Sequence, residues 1–285
     1  MLIAVGATKR RFAASAALPA STTSQKYRSC RWFIFYEVIS IKRCLISALL
    51  YSKLQCINTW SETMTQQTQA DWLEAAKALT TAEVSDALDF FRLPGSAHGI
   101  GRIAGAGKLF GQAYTVRYAP VDTAAPGTVG DYFDEVPAGA VVVLDNGGRT
   151  DCTVWGGILS ALSAQRGIAG TVINGVCRDT EEADQANYRL YARGRFMRTG
   201  KDRVQVEAVR VPVSLGDVRV CPGDFVIGDA DGIVVVPQGR AGEVFRKALA
   251  TRAAEEKILA AALAGATLSE ARHQHGYHTL QRAAS

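Results

Sequence analysis

The chain has 285 residues, 48% of them hydrophobic, with 27 glycines and a formal net charge of +5, enough apolar material to bury a core and too much for a wholly disordered chain. Residues 1–63 carry nine Lys/Arg against Glu37 and Glu62, a net of +7 that leaves −2 for the remainder. A slightly acidic body lacks the basic face that phosphate contacts need, which argues against a nucleic-acid partner.

The opening stretch "MLIAVGATKRRFAASAALPASTTSQKYRSC" is basic, rich in Ala and Ser and free of acids, the composition of a transit peptide. In "WFIFYEVISIKRCLISALLY" the charges of Glu37, Lys42 and Arg43 sit too centrally for a spanning helix, whose middle accepts each at a cost of roughly 2.5 to 3.5 kcal/mol. No membrane association is expected. The composition breaks close to Met64, so Met64 is read as the natural start. Residues 1–63 are then a disordered extension or no part of the native protein, in preference to a targeting segment. Cys152, Cys177 and Cys221 are widely spaced in the body, with no C-x-x-C pair and no even set. Free thiols in a reducing, cytoplasmic compartment are the simplest account.

From Met64 onward, helical and extended patterns alternate. In "DWLEAAKALTTAEVSDALDFF", Leu73, Ala76 and Leu79, then Val84, Leu88 and Phe91, fall at helical spacing. Thr80 to Glu83 fits a capping box between two helices, so a helical hairpin is expected. Glycines crowd "GIGRIAGAGKLFGQAYTVRYAP", and Ala113 to Ala119 alternate as a strand does. A phosphate loop fails here because Arg102 and Leu109 stand where it needs Gly and Ser/Thr. "GIGRIA" is read as turns and bulges, since Pro94, Gly95 and Ser96 precede it where a dinucleotide fingerprint needs a strand.

The centre reads as a βαβ unit. "AVVVLDN" (140–146) is a short apolar strand, followed by the loop "GGRTDCTV". "WGGILSALSAQRG" then places Trp155, Ile158, Leu159 and Leu162 on one helical face and ends on Gly167. "IAGTVINGV" (168–176) is the next strand, and "TEEADQANYRL" a helix that Thr180 can cap. Two such strands are expected to be parallel neighbours. Their carboxyl ends are then the place for a ligand, which gathers the Gly147-Gly148 loop and Arg178-Asp179 at one edge. Beyond Gly194 the chain turns to short β runs separated by Gly-Asp, Pro-Gly-Asp and Ala-Asp-Gly turns. A last helix, from Arg240 to about Ala264, packs Val244, Leu249, Ile258 and Leu259. The tail "HQHGYH" is read as a solvated end rather than a metal site.

Arg178 is charged at any working pH, and its planar fork suits a carboxylate. Asp179 is a hard oxygen ligand of the kind that holds Mg²⁺ together with waters. A strand-end Arg pairing with an Asp at a helix N-terminus is equally a structural arrangement, so both readings stand on the residues alone. Cys177 beside them is read as a buried filler, the alternative being a nucleophile activated by the neighbouring cation.

The run "WGGILSALSAQRGIAGTVINGVCRD" resembles the signature of the RraA-like superfamily, in particular its class II pyruvate aldolases, the 4-hydroxy-4-methyl-2-oxoglutarate aldolase / oxaloacetate decarboxylase group. The similarity runs from Met64 to the final helix and includes "ADGIVVVP", which gives residues 64–285 as one RraA-like domain. The resemblance implies an α/β fold, a swivelling ββα-type domain, assembled as a homotrimer or hexamer with sites between subunits and a divalent metal, Mg²⁺ or Mn²⁺. By position, Asp179 matches the metal-ligand aspartate and Arg178 the arginine that contacts substrate. The backbone of Gly156, Gly157, Ile158 and Leu159 matches the segment that holds the pyruvate carboxylate. Glu255 or Glu256 corresponds to an acidic residue supplied by a neighbouring subunit. One departure stands out: many aldolases of the group carry an acid where this chain has Gly157.

The expected activity is therefore a metal-dependent lyase that cleaves a 2-oxo acid through a pyruvate enolate. A non-catalytic, protein-binding RraA-type regulator is the alternative. That regulator lacks the Asp of the pair, which this chain keeps. A Schiff-base aldolase needs a lysine at a strand end, whereas Lys77, Lys108, Lys201, Lys247 and Lys257 fall in helices, turns or polar loops. A methyltransferase needs a nucleotide loop that the sequence does not offer.

Overall fold

The computed structural model describes residues 72–277. The expectation about residues 1–63, and His278 of the histidine tail, lie outside them. A short helical segment at 72–76 precedes helix α1 (Thr81–Phe90). The joint is the expected capping box, in which Thr80 Oγ1 accepts the Glu83 N–H and Glu83 accepts the Thr80 N–H at 2.7 Å. Next come β1 (Gly101–Ala104), β2 (Leu109–Pro120) and β3 (Val141–Asp145). "GIGRIA" thus ends in an edge strand, not only turns, although its pairing shifts register between Arg102 and Ala104 as a bulge does.

Helix α2 (Gly157–Gln165), β4 (Gly170–Cys177), α3 (Thr180–Gln185) and β5 (Leu190–Arg195) follow. The strands β2, β3, β4 and β5 are parallel neighbours, the geometry that right-handed helical crossovers produce. Every residue of β4 is buried, as expected for a strand covered on both faces. Val142, Leu144 and Ile173 pack with Trp155 and Tyr188 on one side. Val141, Val143 and Val172 pack on the other against β7 (Val213–Leu215) and β8 (Val218–Val220), which come after β6 (Val204–Val209). Strand β2 is longer than the alternation alone indicates, because Leu109 and Gly111 are buried as well. Its first residues pair with β9 (Phe225–Gly228) and its last with β6, and β9 pairs in turn with β10 (Ile233–Val236). One strand thereby carries the sheet, in the order β1-β5-β4-β3-β2-β9-β10, into a curl.

The long helix α4 (Ala241–Leu263) and the short α5 (Leu268–Gln274) close the described chain. Helix α4 buries Val244, Phe245, Ala248 and Ile258, and with α1 it covers β9 and β10. Leu259, expected inside, is 60% exposed, since Ile258 already takes the inward position on that turn. The face expected for α2 is also corrected. Ser160 and Ser163 are its buried residues, while Ile158 is 79% and Leu162 40% exposed. Trp155 lies before the helix instead of in it, and its indole N–H donates to Ser160 Oγ at 3.0 Å, drawing the serine side inward. The end of α2 is as expected. Gly167 takes φ +69°, its N–H reaches the Ala164 carbonyl and the Ile168 N–H the Ser163 carbonyl, which is a Schellman ending.

A buried latch ties α1 to the β9–β10 turn. The Asp229 carboxylate accepts the Thr81 N–H at 2.8 Å, the Thr81 hydroxyl at 2.7 Å and the Asp231 N–H at 3.0 Å. Burial works to raise its pKa, but these hydrogen bonds outweigh burial and hold the carboxyl below its ordinary value. A depressed folded pKa means the contribution is present above the unfolded pKa and lost as pH falls through the folded one. Thr81→Val should therefore lower the unfolding free energy at pH 7 by about 1–3 kcal/mol in urea titrations. That gap should narrow below about pH 4, where the wild-type carboxylate also becomes neutral. A gap of equal size at acid pH would remove the charge from the explanation. No helix among the described residues is long and apolar enough to cross a membrane.

Candidate functional site

Strands β3 and β4 end side by side, and the chain leaving each turns into one cavity of about 280 Å³. It is lined by the predicted Gly156, Gly157, Ile158, Leu159, Arg178 and Asp179, together with Val129, Gly130, Thr153, Val154, Trp155 and Thr199. Arg178-Asp179 stand at the carboxyl edge of the sheet as expected, but the segment that meets them is 153–159 and not the Gly147-Gly148 loop.

Asp179 is the pivot. It was expected that Thr180 would cap α3, but Asp179 occupies the N-cap, with φ +53° and ψ +46°, and its side chain does not cap its own helix. The left-handed conformation is one that Asp tolerates better than most residues. It sends the carboxylate to the start of α2, where Oδ2 accepts the Gly157 N–H at 3.0 Å. Arg178 Nε lies 3.5 Å from the same oxygen, and both side chains are about 40% exposed. An ion pair this exposed adds at most about 1 kcal/mol to stability; Arg92, Asn187, Asp202 and Arg210 are left-handed too, so what sets Asp179 apart is where its carboxylate points. The Arg178 N–H donates to the Trp155 carbonyl at 3.1 Å, locking the end of β4 to the approach of α2.

Helix α2 begins on Gly156, which offers no side-chain cap. With the Gly157 N–H taken by Asp179, the N–H groups of Ile158 and Leu159 belong to the first turn, where no intrahelical acceptor exists. Such groups bind anions, a carboxylate among them. A Cβ on Gly156 would fall 2.7 Å from Asp179 Oδ2, so the carboxylate keeps this position only while residue 156 has no side chain.

The residues also fit a divalent cation. Asp179 Oδ1 has no hydrogen-bond partner among the described residues, which leaves a hard oxygen donor available. No group of three or more His, Cys, Asp or Glu is gathered among the described residues, so the protein's share is the single carboxylate that Mg²⁺ sites often use, with water and substrate oxygens completing the shell.

Cys177 is the buried filler it was read to be. Burial pushes its thiol up to about 12, against a smaller lowering from Arg195. The Gly147-Gly148 loop does stand at the carboxyl edge but does not line the cavity. Its role is support: Asp145 accepts the N–H of Gly147, the amide of Asn174 and the N–H of Ser214 at 2.9 to 3.0 Å. Glu255 and Glu256 do not line the cavity within one chain either. Burial raises the Glu255 pKa, with Asp86 and Glu83 adding to it, and Glu256 lies 3.9 Å from Arg252. Thr153 and Thr199 were not anticipated. Thr199 comes to the cavity through a bridge to Thr153, a long-range pairing that no local motif announces.

The model of the RraA-like family, described as Aldolase/RraA, matches residues 81–235. Protein DlpA of Legionella pneumophila is 37% identical over 199 residues, which is 69% of this chain but 32% of DlpA, so the chain spans about a third of that relative. A Halalkalibacterium halodurans protein that bears the provisional name 4-hydroxy-4-methyl-2-oxoglutarate aldolase is 32% identical, over 67% of this chain and 88% of its own length. The crystal structure of an uncharacterized protein from Pseudomonas syringae pv. tomato superposes with a TM-score of 0.66 at 41% identity, over 71% of this chain and 97% of that one.

Proposed function

Because the chain belongs to the RraA-like family, we propose that its cavity is the active site of a divalent-metal-dependent lyase, which cleaves a 2-oxo acid such as 4-hydroxy-4-methyl-2-oxoglutarate or oxaloacetate through a pyruvate enolate. The observation that carries this reading is Asp179. A left-handed residue delivers its carboxylate beside Arg178 and the first amides of α2, in a cavity sized for a small acid. The provisional name of the Halalkalibacterium halodurans relative supports the same substrate class.

Asp179 would hold the cation, Mg²⁺ or Mn²⁺, which when bound supplies a Lewis acid to the 2-oxo group. The N–H groups of Ile158 and Leu159 receive the carboxylate next to that group. Arg178 keeps a fixed positive charge where negative charge develops on the 2-oxo oxygen as the C3–C4 bond breaks. Trp155 and Val129 form apolar wall, which strengthens these charge interactions by excluding water. Ile158 lines the cavity yet is 79% exposed, and that apolar rim supports a homotrimer or hexamer in which a second copy covers it.

Pyruvate release from both substrates should fall at least about 100-fold in EDTA and return with Mg²⁺ or Mn²⁺. Rates unchanged by EDTA would remove the cation from the mechanism. No release under any condition would favour the protein-binding regulator instead.

A further inference from the structure

The lyase reading requires a group that moves a proton, and the cavity is lined by two ionisable side chains, Arg178 and Asp179. Arg178 does not give up its proton in a protein. Asp179 is engaged by the Gly157 N–H and would be further engaged by a cation. An exposed glutamate just outside the lining, Glu182, brings its stem close to Gly157. A Cβ on Gly157 would lie 3.3 Å from Glu182 Cβ and 3.4 Å from Glu182 Cγ, as well as 3.3 Å from Asp179 Cβ. The Glu182 stem therefore borders the space into which a side chain at 157 would grow.

A comparison within the molecule makes this position informative. Glu83, Glu182 and Glu270 each occupy the third residue of their helices, α1, α3 and α5. Glu83 and Glu270 both turn back and complete capping boxes with Thr80 and Thr267. Glu182 faces no such partner, because its N-cap residue is the left-handed Asp179. Its carboxylate has no hydrogen bond or ion pair among the described residues.

We propose that Glu182, at the mouth of the cavity, carries the proton of the reaction through water. This rests on the lyase reading above. For 4-hydroxy-4-methyl-2-oxoglutarate, the C4 hydroxyl proton passes to the Glu182 carboxylate. The O–H electron pair forms the new C4 carbonyl as the C3–C4 bond breaks and leaves its pair on the enolate. The same proton then returns to C3, so that two pyruvates form with no other reactant. For oxaloacetate, CO₂ leaves and Glu182 passes one solvent proton to C3.

The test isolates that proton. Exchange of the pyruvate methyl hydrogens in D₂O with Mg²⁺, followed by NMR, reports C3 protonation without the aldol step. Glu182→Gln should slow both exchange and cleavage about 100-fold. Calorimetric binding of oxalate, a mimic of the enolate, should stay within about twofold if only proton transfer is lost. Glu182→Asp should recover part of the rate, and so should Gly157→Asp in a Glu182→Ala background, which returns a carboxylate from the other helix. Normal exchange in Glu182→Gln, with an active wild type, would overturn the proposal and leave the lyase reading standing. Loss of oxalate binding together with activity would also overturn it, by making Glu182 a shaping residue. A wild type that neither exchanges nor cleaves would overturn both.

Discussion

Asp179→Asn should abolish pyruvate release, by about 10³-fold or more in kcat/KM, which corresponds to roughly 4 kcal/mol of transition-state stabilisation. Asn is the informative replacement. It tolerates the left-handed backbone at φ +53°, and its amide oxygen can still accept the Gly157 N–H that Oδ2 accepts at 3.0 Å. What disappears is the negative charge, and with it the hard donor for a cation. Thermal unfolding should shift little, since the half-exposed pair with Arg178 is worth no more than about 1 kcal/mol. Asp179→Ala would instead add a backbone penalty of about 1 kcal/mol at a left-handed position, confusing fold with function. An Asn variant with a tenth or more of the wild-type rate would sink the metal-ligand role.

Gly156→Ala should cost about 100-fold in kcat/KM with a nearly unchanged denaturation midpoint, the penalty expected when a catalytic group is displaced by about 1 Å. Gly156 has φ −149°, extended backbone that alanine adopts freely, so the argument is steric. The new Cβ would stand 2.7 Å from Asp179 Oδ2 and 3.4 Å from Arg178 Nε. Both are mobile parts of side chains, and the fold accommodates the methyl group by moving them. The site loses what the fold saves. Activity within about threefold of wild type would show that the carboxylate need not touch the start of α2.

Much of this site was legible in the sequence. The apolar runs before Asn146 and Arg178, with a glycine-stopped helix between them, specified parallel strands that deliver Arg178 and Asp179 to the carboxyl edge, while Gly156, Gly157, Ile158 and Leu159 were indicated by the family resemblance and the Gly147-Gly148 loop expected beside them lies outside the cavity. Three things were not legible, each for a physical reason. The face of α2 was misjudged because Ile158 and Leu162 are apolar by type, whereas a hydrogen bond from Trp155, outside the helix, selects Ser160 for the interior. The left-handed turn at Asp179 has no signature, since nothing in "CRDT" distinguishes it from a helix capped by Thr180. Glu182 looked like any acid in a first helical turn, and only its unmade capping box and its approach to Gly157 set it apart.

Strand β2 has a bearing on how such a chain can vary. Its residues Leu109 to Gln112 belong to β9, Ala113 to Arg117 to β3, and Val116 to Pro120 to β6. Inserting or deleting one residue there would turn inward side chains outward along the rest of the strand. The pairings on one side of the change would then fall out of step with those on the other, unless a bulge absorbs the extra residue as one does between Arg117 and Tyr118. The loops before β3 and after β5 carry no such shared register, so the cost of a change in length is concentrated in β2.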